Sequence, residues 1–272
     1  MQYSIILTVH NKEFLIKEVV EELIQHTTGH YEIIFVIDGC TDKSFNIIHE
    51  VLWRPQNRWI NHKFIWADNV FETKANNLGL KAASGQYCII IQDDIIVREN
   101  GWNERLSKPC EAFSDIFAVT ARCAHNWRIN PNSIHVNEIS HKNDCWCDIV
   151  MHCDHADKTN TPRNIFRIRR SANRGPLLLR KDIIEKLGYL NEKYHPQDLD
   201  DHDLCYRAFR DLKMKCGYFN INVESKDEWG GTRENGQPKP WLLEAQHKNM
   251  KIFYQEFKEV MNMSYNEDRI LD

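Results

Sequence analysis

Glycine and proline are scarce, 11 and 8 in 272 residues, which excludes a collagen-like repeat and a Pro/Gly-rich disordered chain. No stretch approaches the roughly 18 consecutive apolar residues of a membrane-crossing helix, so no span is expected. Neither sign of charge is in excess: 35 basic residues face 39 acidic ones, for a net charge of −4. Such a balance gathers no polyanion, and nucleic acid is not an expected partner. A basic leader and a cleavage site are also missing. The opening MQYSIILTVHN runs straight into a short apolar strand and does not read as a signal peptide. The nine cysteines are odd in number and scattered. They are expected as reduced thiols in a cytoplasmic setting, with room for peripheral association with a membrane. What remains is an ordinary globular composition, 42% hydrophobic and 27% charged, long enough to bury a sizeable core.

Along the first hundred or so residues, strand and helix signals alternate. Residues 3–9 form a short Ile-rich apolar run, and 31–37 and 86–92 form two more. Between the first two, Leu15, Val19 and Leu23 recur at four-residue steps beside Ile16, Val20 and Ile24, one apolar helical face. Asn11 is expected to cap that helix, with Glu13 in its first turn. Phe45, Ile48 and Leu52 predict a second helix, residues 64–66 a short strand, and residues 73–83 a third helix. Alternation of this kind implies parallel pairing in an α/β sheet covered on both faces. Ligands of such sheets bind beyond the carboxyl ends of the strands. Polar clusters fall there: Thr8 to Asn11, Asp38-Gly39, and Gln92-Asp93-Asp94.

Adjacent carboxylates at a strand end repel, and a divalent cation relieves this. The oxygen donors of Asp93 and Asp94 suit Mn²⁺ or Mg²⁺ better than zinc, against the plainer reading of two aspartates solvating a turn. Asp200, Asp201 and Asp203 open a predicted helix, where acidic residues suit the dipole. They are more than capping needs, and one can serve as general base toward a hydroxyl.

With these residues in hand, a resemblance becomes visible. SIILTVHNKEFLIKEVVEELIQ, EIIFVIDGCTDKS, TKANNLGLKAASGQYCIIIQDDIIV, and GPLLLRKDIIEKLGYLNEKY ahead of DLDDHDLCYRA resemble a family 2 glycosyltransferase, in order and in spacing. The resemblance implies a GT-A type, Rossmann-like mixed sheet flanked by helices. It implies metal-dependent, inverting transfer of a sugar from a nucleotide-sugar, UDP-linked by family habit, to a hydroxyl of a glycan, lipid-linked sugar or protein. Carried over residue by residue, it implies that Thr8, His10, Glu13, Asp38, Lys74, Asn77 and Asp93 face the nucleotide. Asp94, with Asp93, would hold Mn²⁺ or Mg²⁺, and Asp201 would be the base. Asp200 stands where the family has glutamate, and Gly175-Pro176 and Gly188-Tyr189 match the acceptor side. Two departures bear on the metal: Gln92 replaces the first acid of the DxD-type motif, and no histidine lies between His202 and His247.

Elsewhere the signals are bland. Cys123, His125, Cys145, Cys147, His152, Cys153 and His155 match no paired zinc knuckle and read as an insertion. The five arginines of residues 163–174 fit either an anion clamp or a solvated face. Trp127, Trp146 and Trp229 are candidates for stacking on a sugar, although tryptophan also serves as core. Gly230-Gly231 suggests a closing loop. Pro240 to Met261 reads as a terminal helix packed on the core. With no linker visible, the expected organisation is one domain over 1–240, a nucleotide-sugar half (1–98) and an acceptor half (99–240), followed by a C-terminal helix within 241–272. Two other classes compete. A sugar nucleotidyltransferase would carry a Gly-rich loop where HNKEFL has no glycine. A non-catalytic carbohydrate- or nucleotide-binding relative would tolerate loss of Asp94 and Asp201, and both are present.

Overall fold

In the strand Tyr3–Val9 (β1), consecutive side chains are buried on opposite faces of a sheet, and the flanking strands repeat the pattern. A computed structural model describes residues 2–132, 144–150, 161–234 and 237–271. After β1 come α1 (Ile16–His26), β2 (Tyr31–Asp38), α2 (Ser44–Leu52), β3 (Asn61–Ala67), α3 (Phe71–Ala82), β4 (Tyr87–Gln92) and β5 (Ile96–Val97). The chain continues through α4 (Trp102–Ala112), β6 (Ile116–Thr120), β7 (Ala124–Ile129), β8 (Cys145–Ile149), β9 (Ile165–Arg169), β10 (Ser171–Ala172) and β11 (Leu177–Arg180). It ends with α5 (Lys181–Leu187), α6 (Asp200–Leu212), β12 (Lys215–Phe219), β13 (Val223–Glu224), β14 (Arg233–Glu234), β15 (Gln237–Pro238), α7 (Pro240–Phe257) and β16 (Glu267–Ile270).

A nine-stranded mixed sheet of order β16-β9-β12-β6-β11-β4-β1-β2-β3 forms the frame. The expected parallel pairs β1–β2, β1–β4 and β2–β3 are present. On one face Ile5, Leu7, Ile33, Phe35, Ile89 and Ile91 pack with Val19, Val20 and Leu23 of α1 and with Ile48 of α2. On the other, Ile6, Ile34, Val36 and Ile90 meet Ala75 and Leu80 of α3 and Ile183, Ile184 and Leu204 of α5 and α6. Each fully buried Val, Leu or Ile contributes roughly 1.5–3 kcal/mol before chain entropy is charged against it. Gly79 lets α3 approach β1, since a Cβ there would lie 2.3 Å from Ile6 Cγ2.

Local details differ from the sequence reading. Asn11 does not cap α1. With φ of 47° its side-chain oxygen accepts from Thr41 N (2.8 Å), tying the β1–α1 loop to the β2–α2 loop. Glu13 precedes the helix and accepts from Lys43 N, while Asp42 Oδ1 accepts from Ser44 N at the start of α2. After α7 the chain adds β16 as an edge strand, which helical periodicity does not foretell.

One strand joins the two sides of the sheet. β11 runs antiparallel to both β4 and β6, so the residues just before it lie beside the carboxyl ends of those strands. α7 packs Phe253 and Phe257 against Tyr194 and Tyr206, and Asn249 Nδ2 reaches the carbonyls of Tyr194, Gln197 and Asp198 at 2.8–3.0 Å. No helix among the described residues is long and apolar enough to cross a membrane. The eight described cysteines form no disulfide with one another.

Candidate active site

A cavity of about 520 Å³ opens beyond the carboxyl ends of the parallel strands. β1 supplies Thr8 and His10, β2 supplies Asp38, and β4 leads into Gln92, Asp93 and Asp94. Asn173 and Arg174, before β11, and Asp201 and His202, in the first turn of α6, close the floor. Lys226, Gly230, Gly231, Lys239, Trp241 and Leu242 also line it.

The aspartates have distinct settings. Asp38 accepts from the backbone N–H groups of Val70 (2.6 Å) and Phe71 (2.9 Å), so it anchors the entry to α3 as well as lining the cavity. Asp93 accepts from His10 N at 3.1 Å and pairs with the buried Lys12 ammonium at 3.3 Å. Burial raises the Asp93 pKa to about 6; Lys12 works against the rise and the neighbouring Asp94 adds to it. Asp94 lines the same wall. Gln92, at the first position of the acidic motif, bridges Glu72 (2.7 Å) and Arg122 (2.8 Å). Gly175 sits against it with φ of 96°; a Cβ there would fall 2.7 Å from Gln92 Oε1.

Arg174 ties the floor together. Its guanidinium pairs with Glu72 (2.7 Å) and Asp200 (2.5 Å), and its backbone N–H donates to Asp201 Oδ2 at 3.0 Å. Burial disfavours the charge, but Asp200, Glu72 and Asp201 outweigh it and push the Arg174 pKa higher still. Asp201, 4% exposed, also accepts from His202 Nδ1 at 2.6 Å. Burial favours its neutral form, yet His202 and Arg174 prevail and hold it well below the usual carboxylate range. Asp201 is therefore a dry, persistently ionised carboxylate rather than one tuned toward neutrality.

Thr8, His10, Asp38, Asp93, Asp94 and Asp201 thus converge on one cavity. Other expected residues lie elsewhere. Glu13 is exposed in the loop cross-tie, and Lys74 does not line the cavity. Asn77 turns away from the cavity, bonding Leu190 N and O at 3.0 and 2.9 Å, while Asn76 lines the cavity and accepts from Thr8 Oγ1. Asp200 is fully buried behind Arg174. Trp229 offers its carbonyl to Lys12 and its ring to Lys226, and the cavity aromatics are Phe71 and Trp241 instead.

Within the described part of the middle segment, most of the singled-out side chains pack or pair away from the cavity. Gly188 ends α5 with φ of 78°. Of the five arginines, only Arg174 lines the cavity. Arg170 is buried on Phe209 and Tyr265, Arg169 pairs with Asp148, Arg167 with Asp268, and Arg163 with Glu99. Trp127 packs between His125 and Phe253, and Trp146 lies under Arg128. His152, Cys153 and His155 lie outside the described residues. Sequence reasoning missed Lys12, Glu72, Asn76, Arg122, His202 and Trp241. The only signal for them was proximity to the expected strand and helix ends.

The family model "Glycosyl transferase family 2" matches residues 4–176. Glycosyltransferase GlyG of Streptococcus pneumoniae is 30% identical over 97 residues, 36% of this chain and 31% of that protein. For GlyG and the two curated relatives that follow it, the matched stretch covers 31%, 38% and 39% of their lengths. Among solved structures, GalNAc-T7 with UDP, GalNAc and Mn²⁺ superposes with a TM-score of 0.64 at 12% identity, over 88% of this chain and 45% of that one. The mannosyltransferase PcManGT from Pyrobaculum calidifontis, in complex with GDP-Man and Mn²⁺, gives 0.58 at 12% identity, over 98% and 66%. The sheet and its flanking helices are those of the GT-A fold, and the chain belongs to glycosyl transferase family 2.

Proposed function

We propose that the chain transfers a sugar from a nucleotide-sugar, with inversion at the anomeric carbon, to a hydroxyl of a glycan, lipid-linked sugar or protein. The observation that carries this reading is the convergence of Thr8, His10, Asp38, Asp93 and Asp94, from three strand ends, with Asp201 from a helix start. In this reading the strand-end residues receive the nucleotide, and Lys12 adds a fixed cation at the diphosphate end.

Among the described residues no trio of His, Cys, Asp or Glu is arranged to hold a metal. The donor set still fits a hard ion of few protein ligands: Asp94 offers carboxylate oxygen on the cavity wall, and Asp93 beside it has its ionisation opposed by Asp94. Asp94, with Asp93, would hold Mn²⁺ or Mg²⁺ there. Bound with the donor, the ion supplies charge neutralisation to the diphosphate leaving group.

The protein's own part is proton acceptance and exclusion of water. His202 and Arg174 hold Asp201 in its ionised form, the form that accepts a proton. An attacking hydroxyl grows acidic as its oxygen bonds the anomeric carbon, and a carboxylate of low basicity suffices late in the transfer. The hydroxyl proton passes to Asp201, and the electron pair of the broken sugar–phosphate bond leaves with the diphosphate. Pro238, Trp241 and Leu242 give the cavity an apolar stretch of wall, against which a bound sugar would displace water that could compete as acceptor.

Thermal unfolding against a panel of UDP-hexoses and GDP-mannose, with Mn²⁺ or with chelator, tests the reading. A true donor at about a hundred times its Kd stabilises by about 2.7 kcal/mol, and the shift is expected to shrink on chelation. No shift with any nucleotide-sugar would overturn donor binding; a shift indifferent to chelator would remove the metal.

A further inference from the structure

Behind the cavity floor runs a file of side chains that proton acceptance by a lone carboxylate does not require. Asp201 Oδ1 lies 2.6 Å from His202 Nδ1, His202 Nε2 lies 2.7 Å from His125 Nε2, and His125 Nδ1 lies 3.7 Å from Cys123 Sγ. Both histidines are 4% exposed, enclosed by Trp127, with the Phe253 ring against His202.

Hydrogen-bond chemistry gives this file a polarity when both imidazoles are neutral. An ionised carboxylate only accepts, so His202 then carries its proton on Nδ1 and leaves Nε2 bare. Two ring nitrogens 2.7 Å apart hold one proton between them, which then belongs to His125 Nε2. His125 Nδ1 is left as an acceptor for the Cys123 thiol. Every bond points at Asp201, the one charge in the file, and bonds aligned in this way polarise one another.

We propose that His202 and His125 are positioning residues for Asp201, and that uptake of one proton by this histidine pair converts Asp201 from a base into half of an ion pair. The proposal rests on the sugar-transfer reading of the cavity. On acidification one proton is taken up at His125 Nδ1, and the proton that His125 held on Nε2 passes along the 2.7 Å contact to His202 Nε2, so the middle bond reverses; no bond between heavy atoms changes. Burial and the neighbouring His202 keep the His125 pKa well below its ordinary value, so the pair takes a single proton. The other charged and titratable groups around the file are Asp198, Asp200, Arg174 and Cys205. Asp198 and Asp200 favour protonation of the pair, and Arg174 opposes it.

Histidine-selective ¹⁵N NMR of the full, ligand-free chain, titrated over about pH 5 to 8.5, tests the file directly. His202 is expected as the Nδ1–H tautomer and His125 as the Nε2–H tautomer, moving together in one single-proton step. Asp201→Asn is expected to lower that step by about one pH unit or more. Two histidines titrating independently, with tautomers indifferent to Asp201→Asn, would overturn the proposal. As the functional arm, hydrolysis of the UDP-hexose that binds best is followed against pH. Its acid limb in kcat is expected to track the histidine step and to move in His125→Gln with KM unchanged; an unmoved limb would also overturn the proposal. Should His125→Gln not fold, the wild-type titration decides. The NMR arm needs no donor, so failure of every nucleotide-sugar to bind would refute sugar transfer while leaving the file itself confirmed or refuted.

Discussion

At Asp201 the chemistry depends on what surrounds one carboxylate. Replacing it by Asn keeps the shape, loses the accepting charge and leaves Arg174 with Glu72 and Asp200 as partners. The expected outcome is a transfer rate lower by about 10²–10⁴ with the nucleotide Kd nearly unchanged, read by steady-state kinetics and calorimetry. Asp201 was legible because three carboxylates within four residues at a helix start exceed what capping explains. His125 was not: it meets His202 across 77 residues of sequence, and nothing local marks that contact. Lys12 was equally hidden, since a lone lysine in a polar loop reads as solvated until the fold buries it against Asp93.

Among the elements, β1, β2 and β4 announced themselves through apolar runs ending in polar clusters, and α1 through its period. Rotation about α3 was the weak point. One residue turns a helix by about 100°, and that step separates Asn76 in the cavity from Asn77 against Leu190. β11 and β16 were illegible because antiparallel pairing between distant segments leaves no periodic trace. One element-level prediction concerns the opposite end of the sheet. There Glu32 of β2 accepts from Ser4 Oγ (2.7 Å) and Ser84 N (2.8 Å) and pairs with Lys63 (2.8 Å). Burial opposes its charge, but Lys63, Ser4 and Ser84 bring its pKa down to about 2. A lowered carboxyl pKa stabilises the fold above the ordinary value, and that stability fades as pH falls from about 4.5 toward 2. Glu32→Gln is expected to cost about 2–3 kcal/mol at neutral pH and to flatten the acid limb of denaturation curves over that interval.

Over the whole molecule, the C-terminal helix belongs to the cavity as much as to the core. Trp241, Leu242 and Gln246 line it, and Asn249 holds the loop that aims the start of α6. Asn249→Ala leaves buried carbonyls unpaired, at about 1–3 kcal/mol. It is expected to lower kcat for transfer more than it weakens donor binding, measured by comparing turnover with the nucleotide Kd. The antiparallel strand Leu177–Arg180 carries a wider consequence. It is hydrogen-bonded to β4 on one side and β6 on the other, so the sheet runs without a seam from its parallel strands into its other half. Any widening of the cavity must then come from its other lining, residues 225, 226 and 230–232 and the first turns of the last helix, rather than from the sheet.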